Sequence, residues 1–321
     1  MTHTNARQRH VHRSFLYCLL LLLAFPVLLY FSQRITQGVQ DALLLCAHVI
    51  IPSLFPFMIL SEWLARLLTS KRTKVQKEHK VDAVCRKIFG VSLIGVLPFV
   101  MGALCGFPLG VRCAVDLYRR GRLTKAEAEQ TIAFSNNTGP AFLIAGIGDG
   151  LFHNEKIGLR LYALQIACAL LSGVLLRKLF PNTEKSHAPL TALKVVTDTG
   201  LTAIIKASTL SMLSVCGMIV AFSVPMSILP ILFKNPVLLS FLCSFVEVGG
   251  ASALAARLYG STPVAAMLAL TNAVCFGGLS VHMQAALFAK EAGLSLHRHT
   301  VGKLLQATIA CLVLAICLVI T

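Results

Sequence analysis

The chain has 321 residues, 56% of them apolar and 13% charged, and a mean hydropathy of +0.76, whereas about a quarter of a soluble domain is charged. This is the composition of a polytopic membrane protein, and at about 20 residues per crossing the length is taken up by roughly seven to nine membrane elements, leaving no room for a soluble catalytic domain. The net charge of +16 falls in short loops between apolar runs. That excludes a nucleic-acid reader, which needs a solvated basic face with accessible aromatics, and makes Lys and Arg a signal of topology.

The apolar run Ser14 to Phe31 follows Arg7, Arg9 and Arg13 without an A-x-A-like cleavage site. It predicts an uncleaved signal-anchor helix with the N-terminus in the cytoplasm. A second run, Ala42 to Thr69, contains Pro52 and Pro56 and ends in a loop rich in Lys71, Arg72, Lys74, Lys77, Lys80, Arg86 and Lys87, expected to be cytoplasmic.

From Ile88 to Tyr118 the chain is apolar but interrupted by Pro98 and by Gly106-Phe-Pro-Leu-Gly110, and it ends at Arg119, Arg120 and Arg122. Two full crossings need about 40 residues, and a single crossing places the arginines outside. A re-entrant hairpin with its tip near Gly106 to Gly110 satisfies both constraints. Thr124-Lys-Ala-Glu127 forms an S/T-x-x-E capping box and starts a helix broken by Asn136-Asn-Thr-Gly-Pro140, which resumes to about Gly148. Ile157 to Leu179 crosses back, and Arg177, Lys178, Lys185, Lys194 and Lys206 mark a second cytoplasmic loop, the linker between halves.

The second half repeats the order, with a crossing from about Thr209 to Leu229 and a segment Pro236 to Tyr259 interrupted by Glu247-Val-Gly-Gly250. Pro263 to Phe288 follows, interrupted at Phe276-Gly-Gly-Leu-Ser280, and then a final helix from Val301 to Ile320. An offset of about 141 residues superimposes the interruptions of the two halves by pattern. Each half reads as crossing, hairpin, broken crossing, crossing. An odd number of net passages inverts the second copy and puts the Lys290, Arg298 and Lys303 loop in the cytoplasm. Should Pro236 to Tyr259 instead span fully, that loop lies outside. The expected architecture is therefore an all-α polytopic membrane protein, an inverted-topology repeat with two re-entrant hairpins and broken transmembrane helices. Its divisions are 1–40 (anchor), 41–180 (first repeat), 181–206 (linker) and 207–321 (second repeat).

Paired broken helices in two inverted halves point to a midplane substrate site, because half-helix N-termini favour anionic and hydrogen-bonding groups. The candidate substrate-binding residues are Gly106, Phe107, Pro108, Gly110, Arg112, Asn136, Asn137, Thr138, Gly277, Gly278, Ser280 and Gln284. Arg112, two residues past the first break, has the bidentate geometry for a carboxylate; its bland reading is a snorkelling or structurally paired arginine. Glu247, an intramembrane carboxylate, is the candidate coupling or gating residue with Gly249, Gly250 and His282, and an alternative is that it pairs with Arg112. Asn136, Asn137 and Thr138 also serve as caps for orphan backbone groups, and His282 as a packing partner. Asn272 belongs to the same polar cluster as Ser280 and Gln284.

Catalytic signals are weak. Gly146-Ile-Gly-Asp149 lacks the second carboxylate that aspartyl protease chemistry requires, Asp116 has no partner motif, and the His297 and His299 pair makes a poor metal site. The 11 cysteines, among them Cys18, Cys105, Cys113, Cys168, Cys243 and Cys311, form no C-x-x-C pair and read as small buried hydrophobes. The expectation is a protein that is not an enzyme, with no metal and no cofactor.

At Cys105-Gly-Phe-Pro-Leu-Gly-Val-Arg112, Leu123-Thr-Lys-Ala-Glu-Ala-Glu129, Phe134-Ser-Asn-Asn-Thr-Gly-Pro140 and Phe276-Gly-Gly-Leu-Ser-Val-His-Met-Gln284 the sequence resembles the YlbJ-type sporulation integral membrane proteins. Those belong to a wider group with a nucleoside-recognition or gate domain, and the likeness runs from about Ala42 to the end. The resemblance implies a protein of the outer forespore membrane that moves dipicolinate, a small planar dicarboxylate, toward the forespore. A nucleoside carrier and a non-transporting scaffold for spore envelope assembly are the competing readings. Partners are then a small anionic solute and the lipid bilayer, with a homo-oligomer or other sporulation membrane proteins left open, and no nucleic acid.

Overall fold

The computed structural model describes residues 22–23, 25–70, 80–181 and 200–320. Residues 14–21 and 24 of the expected anchor helix, the basic loop 71–79 and linker residues 182–199 lie outside the described residues. Among the described residues every regular element is helical.

Helix α1 (Ser32–Leu45) runs through a π-helical turn, Cys46–Ile50, into α2 (Ile51–Ser70). The π turn precedes Pro52, whose missing N–H cannot close an α-helical hydrogen bond there. Amphipathic α3 (Lys80–Phe89) meets α4 (Leu93–Cys105) at a bend of 65°. Asp82 fixes that bend, taking the Leu93 N–H at 2.7 Å and the Arg86 guanidinium at 2.7 Å. The hairpin expected from Ile88 thus starts at Leu93, because Ile88 belongs to α3. Its second arm is α5 (Leu109–Arg119). Gly102 and Gly110 face each other across the arms, and a Cβ on either would collide with the Ser135 carbonyl, so small residues let α6 pack against the hairpin.

Helix α6 (Lys125–Ser135) starts at the predicted capping box, with the Thr124 hydroxyl and Glu127 backbone N–H bonded at 3.1 Å and the reciprocal bond at 3.1 Å. It stops at Asn136, and after Pro140 the chain resumes as a π-helical segment, Ala141–Asp149. Asn154 caps α7 (Glu155–Leu179). The second half comprises α8 (Leu201–Leu232), α9 (Pro236–Val246), α10 (Val248–Tyr259), α11 (Pro263–Phe276), α12 (Gly278–Glu291) and α13 (His297–Ile320). Helices α9 and α10 pack against each other across the single extended residue Glu247.

Four stretches among the described residues are long and apolar enough to cross a membrane: α7, α8, α11 with α12, and α13. The bent pair α3–α4 makes a fifth if it counts as one span. The α11–α12 stretch is 72% buried and α8 only 11%, so the former is the centre and the latter the rim. Leu159, Leu171, Leu210, Leu213, Leu312 and Ile316 stand exposed on α7, α8 and α13; on a membrane protein such residues meet lipid tails. Charge collects at one end of the bundle. There Arg86 pairs with Glu127 at 3.0 Å, Arg119 with Glu291 at 3.5 Å, and Arg298 donates to Gln130 at 3.2 Å and lies over the Phe180 ring. The aromatic contact Phe152–Tyr259 belongs to the other end.

Candidate functional site

In each half the hairpin tip touches the broken helix. Gly106 has φ +83°, and a Cβ there would lie 2.8 Å from the Gly139 nitrogen. Gly278 has φ +66°, and its Cβ would lie 2.9 Å from the Val246 carbonyl and 3.0 Å from the Glu247 nitrogen. Both positions combine a left-handed backbone with backbone-to-backbone contact, which only glycine tolerates without strain. The two halves meet at Gln165 and Gln306. Gln165 clamps Thr138, accepting its N–H at 3.0 Å and donating to its carbonyl at 2.9 Å. Gln306 donates to Asn137 Oδ1 and to the Gln165 carbonyl, each at 3.1 Å. These glutamines are 141 residues apart, the offset that relates the two sets of breaks.

All four breaks contribute to one small cavity of about 40 Å³: Gly106 and Phe107, Thr138 and Gly139, Glu247 to Gly249, and Ser280 with Gln284. A vestibule of about 990 Å³ lies beside it, lined by α1, the 141–149 segment, α8 and α10, and running from Glu247 toward Arg257 and Leu151. Leu45, Phe142, Ile219, Glu247 and Gly249 line both spaces and form the partition.

Glu247 holds the N-terminus of α10. Its Oε1 accepts the Gly249 N–H at 2.8 Å and its Oε2 the Gly250 N–H at 2.6 Å. An anion-binding helix end is therefore already filled by the protein's own carboxylate, at the partition between vestibule and cavity. The pairing of Glu247 with Arg112 considered from the sequence does not occur. Arg112 donates to Glu62 at 2.7 Å and to the Ser211 hydroxyl at 2.7 Å, while Glu62 also binds Arg66 at 2.6 Å. Glu62, Arg66 and Arg112 are all buried. This ion cluster ties α2, α5 and α8 together further toward the basic end and lines neither space.

Of the predicted binding residues, Gly106, Phe107, Thr138, Ser280 and Gln284 line the small cavity. Pro108 and Gly110 shape the hairpin, and Gly277 and Gly278 shape the second break. Asn137 caps the Phe134 carbonyl at 2.9 Å, and Asn136 meets His299 Nε2 at 3.0 Å. His282 binds the Gly278 carbonyl through Nδ1 at 2.8 Å and packs on the His299 ring. Asn272 donates to the Ser244 hydroxyl at 2.7 Å.

Sequence reasoning missed Glu62 as the partner of Arg112 and Gln165, His299 and Gln306 as partners of the Asn136 break, and it misplaced Lys303. That lysine is not in a loop: it sits inside α13, 1% exposed. The legible signal was His299, Lys303 and Gln306 recurring at helical spacing on one face of an apolar helix.

Compared with known proteins, the chain is 29% identical over 140 residues to the sporulation integral membrane protein YlbJ of Bacillus subtilis (strain 168). The match takes in 44% of this chain and 33% of that protein, so the chain spans about a third of the length of the curated relative it matches. This supports a YlbJ-type relationship, over a shorter stretch than the motifs implied. No family model and no solved structure matches the chain.

Proposed function

We propose that this membrane protein is a carrier in spore formation that moves a small anionic metabolite by alternating access, with a planar aromatic dicarboxylate of the dipicolinate type as its solute. The observation that carries the reading is the convergence of four helix breaks on one small cavity beside a large vestibule. Helix packing alone needs small-residue contacts, not interrupted helices at membrane depth, whereas paired breaks around a shared site are the build of a secondary transporter. The similarity to a sporulation protein supplies the setting, and the resemblance of the motifs supplies the solute and the outer forespore membrane.

In this reading the basic end is cytoplasmic by the positive-inside rule, the N-terminus is inside, and the vestibule opens away from the cytoplasm. The solute passes His48 and Arg257, which line the vestibule, and its carboxylate competes with Glu247 for the Gly249 and Gly250 N–H groups. Release of Glu247 frees the partition of Leu45, Phe142 and Ile219 to part, and the cavity widens around the solute. On the far side the Glu62–Arg66–Arg112 cluster is the closure that must separate for release, by rocking of one half against the other.

One observation favours a second reading. Among the described residues no Lys, Arg or His lines the small cavity, and Glu247, Thr138, Ser280 and Gln284 supply its polar groups, which suits an uncharged polar solute such as a nucleoside. Uptake of labelled dipicolinate and of uridine into proteoliposomes holding the purified protein separates the two. Saturable dipicolinate uptake, altered in Glu247→Gln, supports the anion carrier; uridine uptake alone assigns the neutral solute; uptake of neither by folded protein refutes both and favours a scaffold.

A further inference from the structure

The Lys303 ammonium is buried at the end of a half-helix. It donates to the Asn136 backbone carbonyl at 2.9 Å and to Gln306 Oε1 at 2.8 Å. Asn136 is the residue at which α6 stops, so this carbonyl stands at the negative end of the half-helix dipole. Among the described residues no carboxylate pairs with Lys303: Glu62, Asp82, Glu127 and Glu291 pair with arginines, and Glu247 with backbone N–H groups. The side-chain Oδ1 of Asn136, in a residue 1% exposed, has no partner. The titratable groups that face Lys303 are His299 on α13, His282 on α12 and Cys275 on α11, none of them a carboxylate.

A buried charge without a counter-ion is costly unless oxygens replace its water. Carbonyls at the unwound C-terminal ends of half-helices are the groups that hold a sodium ion in broken-helix carriers. We propose that the Asn136 break is a monovalent-cation site whose cation is the protein's own Lys303 ammonium, so that this break needs no sodium. The site is wired to the cavity: Gln306 joins Lys303 to Asn137 and Gln165, and Gln165 clamps Thr138 in the cavity wall. The functional consequence, solute movement independent of sodium, rests on the carrier reading; the site itself does not.

The test is thermal unfolding of the detergent-purified wild type, Lys303→Ala and Lys303→Met, in choline, sodium or ethylammonium chloride at equal ionic strength. The wild-type midpoint is expected to be the same in all three salts. Lys303→Ala should unfold lower in choline and recover at least half of the loss in ethylammonium, with a smaller recovery in sodium. Lys303→Met, whose stem fills the tether's path, should fall and not recover. A Lys303→Met protein as stable as wild type, a Lys303→Ala loss that no cation repairs, or a wild type stabilised by sodium over choline would each overturn the proposal. If neither variant folds, the wild-type comparison decides alone. Absence of any solute uptake counts against the carrier reading only, because the thermal comparison uses no solute.

Discussion

Gly278→Ala and Gly106→Ala test whether each hairpin tip is locked against the broken helix of its own half. Placing an L-residue at a left-handed backbone costs about 1–2 kcal/mol, and both glycines have positive φ, +66° and +83°. The added Cβ then meets backbone rather than a yielding side chain: Val246 O at 2.9 Å and Glu247 N at 3.0 Å for Gly278, Gly139 N at 2.8 Å for Gly106. Such overpacking adds about 1–3 kcal/mol, giving about 2–5 kcal/mol in all. Gly217 and Gly260 are the controls, since a Cβ at either meets nothing within 4 Å and neither has a positive φ; alanine there should be neutral or stabilise by about 0.4–1 kcal/mol. The assay is the thermal midpoint in one detergent, with size-exclusion to show a folded, monodisperse protein. At about 2 °C per kcal/mol the two break variants should fall by about 4–10 °C while the controls do not fall. A Gly278→Ala midpoint equal to that of Gly217→Ala would refute the tip-to-break contact.

Arg112→Ala should destabilise by about 3 kcal/mol, the lower end of the range for breaking a buried ion pair because Glu62 keeps Arg66; adding Glu62→Gln should cost less than the sum of the singles, measured as coupling in a double-mutant cycle. Glu247→Ala should lose about 0.5–2 kcal/mol of helix capping, and Glu247→Gln should bind an anionic solute more tightly but release it more slowly, read from uptake kinetics. Ser227→Cys in the vestibule should react with an impermeant thiol reagent added from the non-cytoplasmic side, beyond the wild-type cysteine background, while Ser280→Cys in the cavity stays silent; the reverse order would refute the partition. In competition uptake, removing one carboxylate from dipicolinate should weaken binding by about 0.3–2 kcal/mol, one charge-to-helix-end contact, and uridine competing equally well would contradict the anion assignment.

The breaks were legible because glycine and proline announce them locally: Gly106-Phe-Pro, Asn136 to Pro140, Glu247-Val-Gly-Gly and Gly277-Gly278 all interrupt helices where expected. The capping box at Thr124 was legible for the same reason, as a spacing of three within one turn. What escaped were partners distant in sequence. Arg112 finds Glu62 across 50 residues and Ser211 across 99, and nothing local to Arg112 distinguishes a paired guanidinium from a free one. Positive charge groups Lys303 with Lys290 and Arg298 as one cytoplasmic loop, yet α13 begins at His297 and buries Lys303. A positive-inside count treats every lysine as an address label and cannot detect one whose charge is used inside the bundle.

The location of that charge bears on the choice of solute. Apart from Leu45, Ile50, Leu54 and Ile219, the cavity is lined by residues at the breaks and in the opening two turns of the segments that follow them, Val248 and Gly249 of α10 and Ser280, Val281 and Gln284 of α12 among them. The closing residues of the preceding helices, Cys105, Ser135, Val246 and Phe276, line none of it. The cavity therefore sees the positive ends of the half-helix dipoles, each equivalent to roughly half an elementary charge. The negative end of α6 is answered elsewhere, by Lys303 at Asn136. Without a counter-charge there, the carbonyl end of α6, two residues from Thr138, would offset part of the positive field meeting a solute. Among the described residues Glu247 is then the one ionisable side chain in the cavity wall, and it is held by the N–H groups that a solute carboxylate would seek. On the carrier reading, a neutral solute gains little from displacing Glu247, whereas an anion exchanges one carboxylate for another at the same helix end, so that reading ties opening of the partition to an anionic solute.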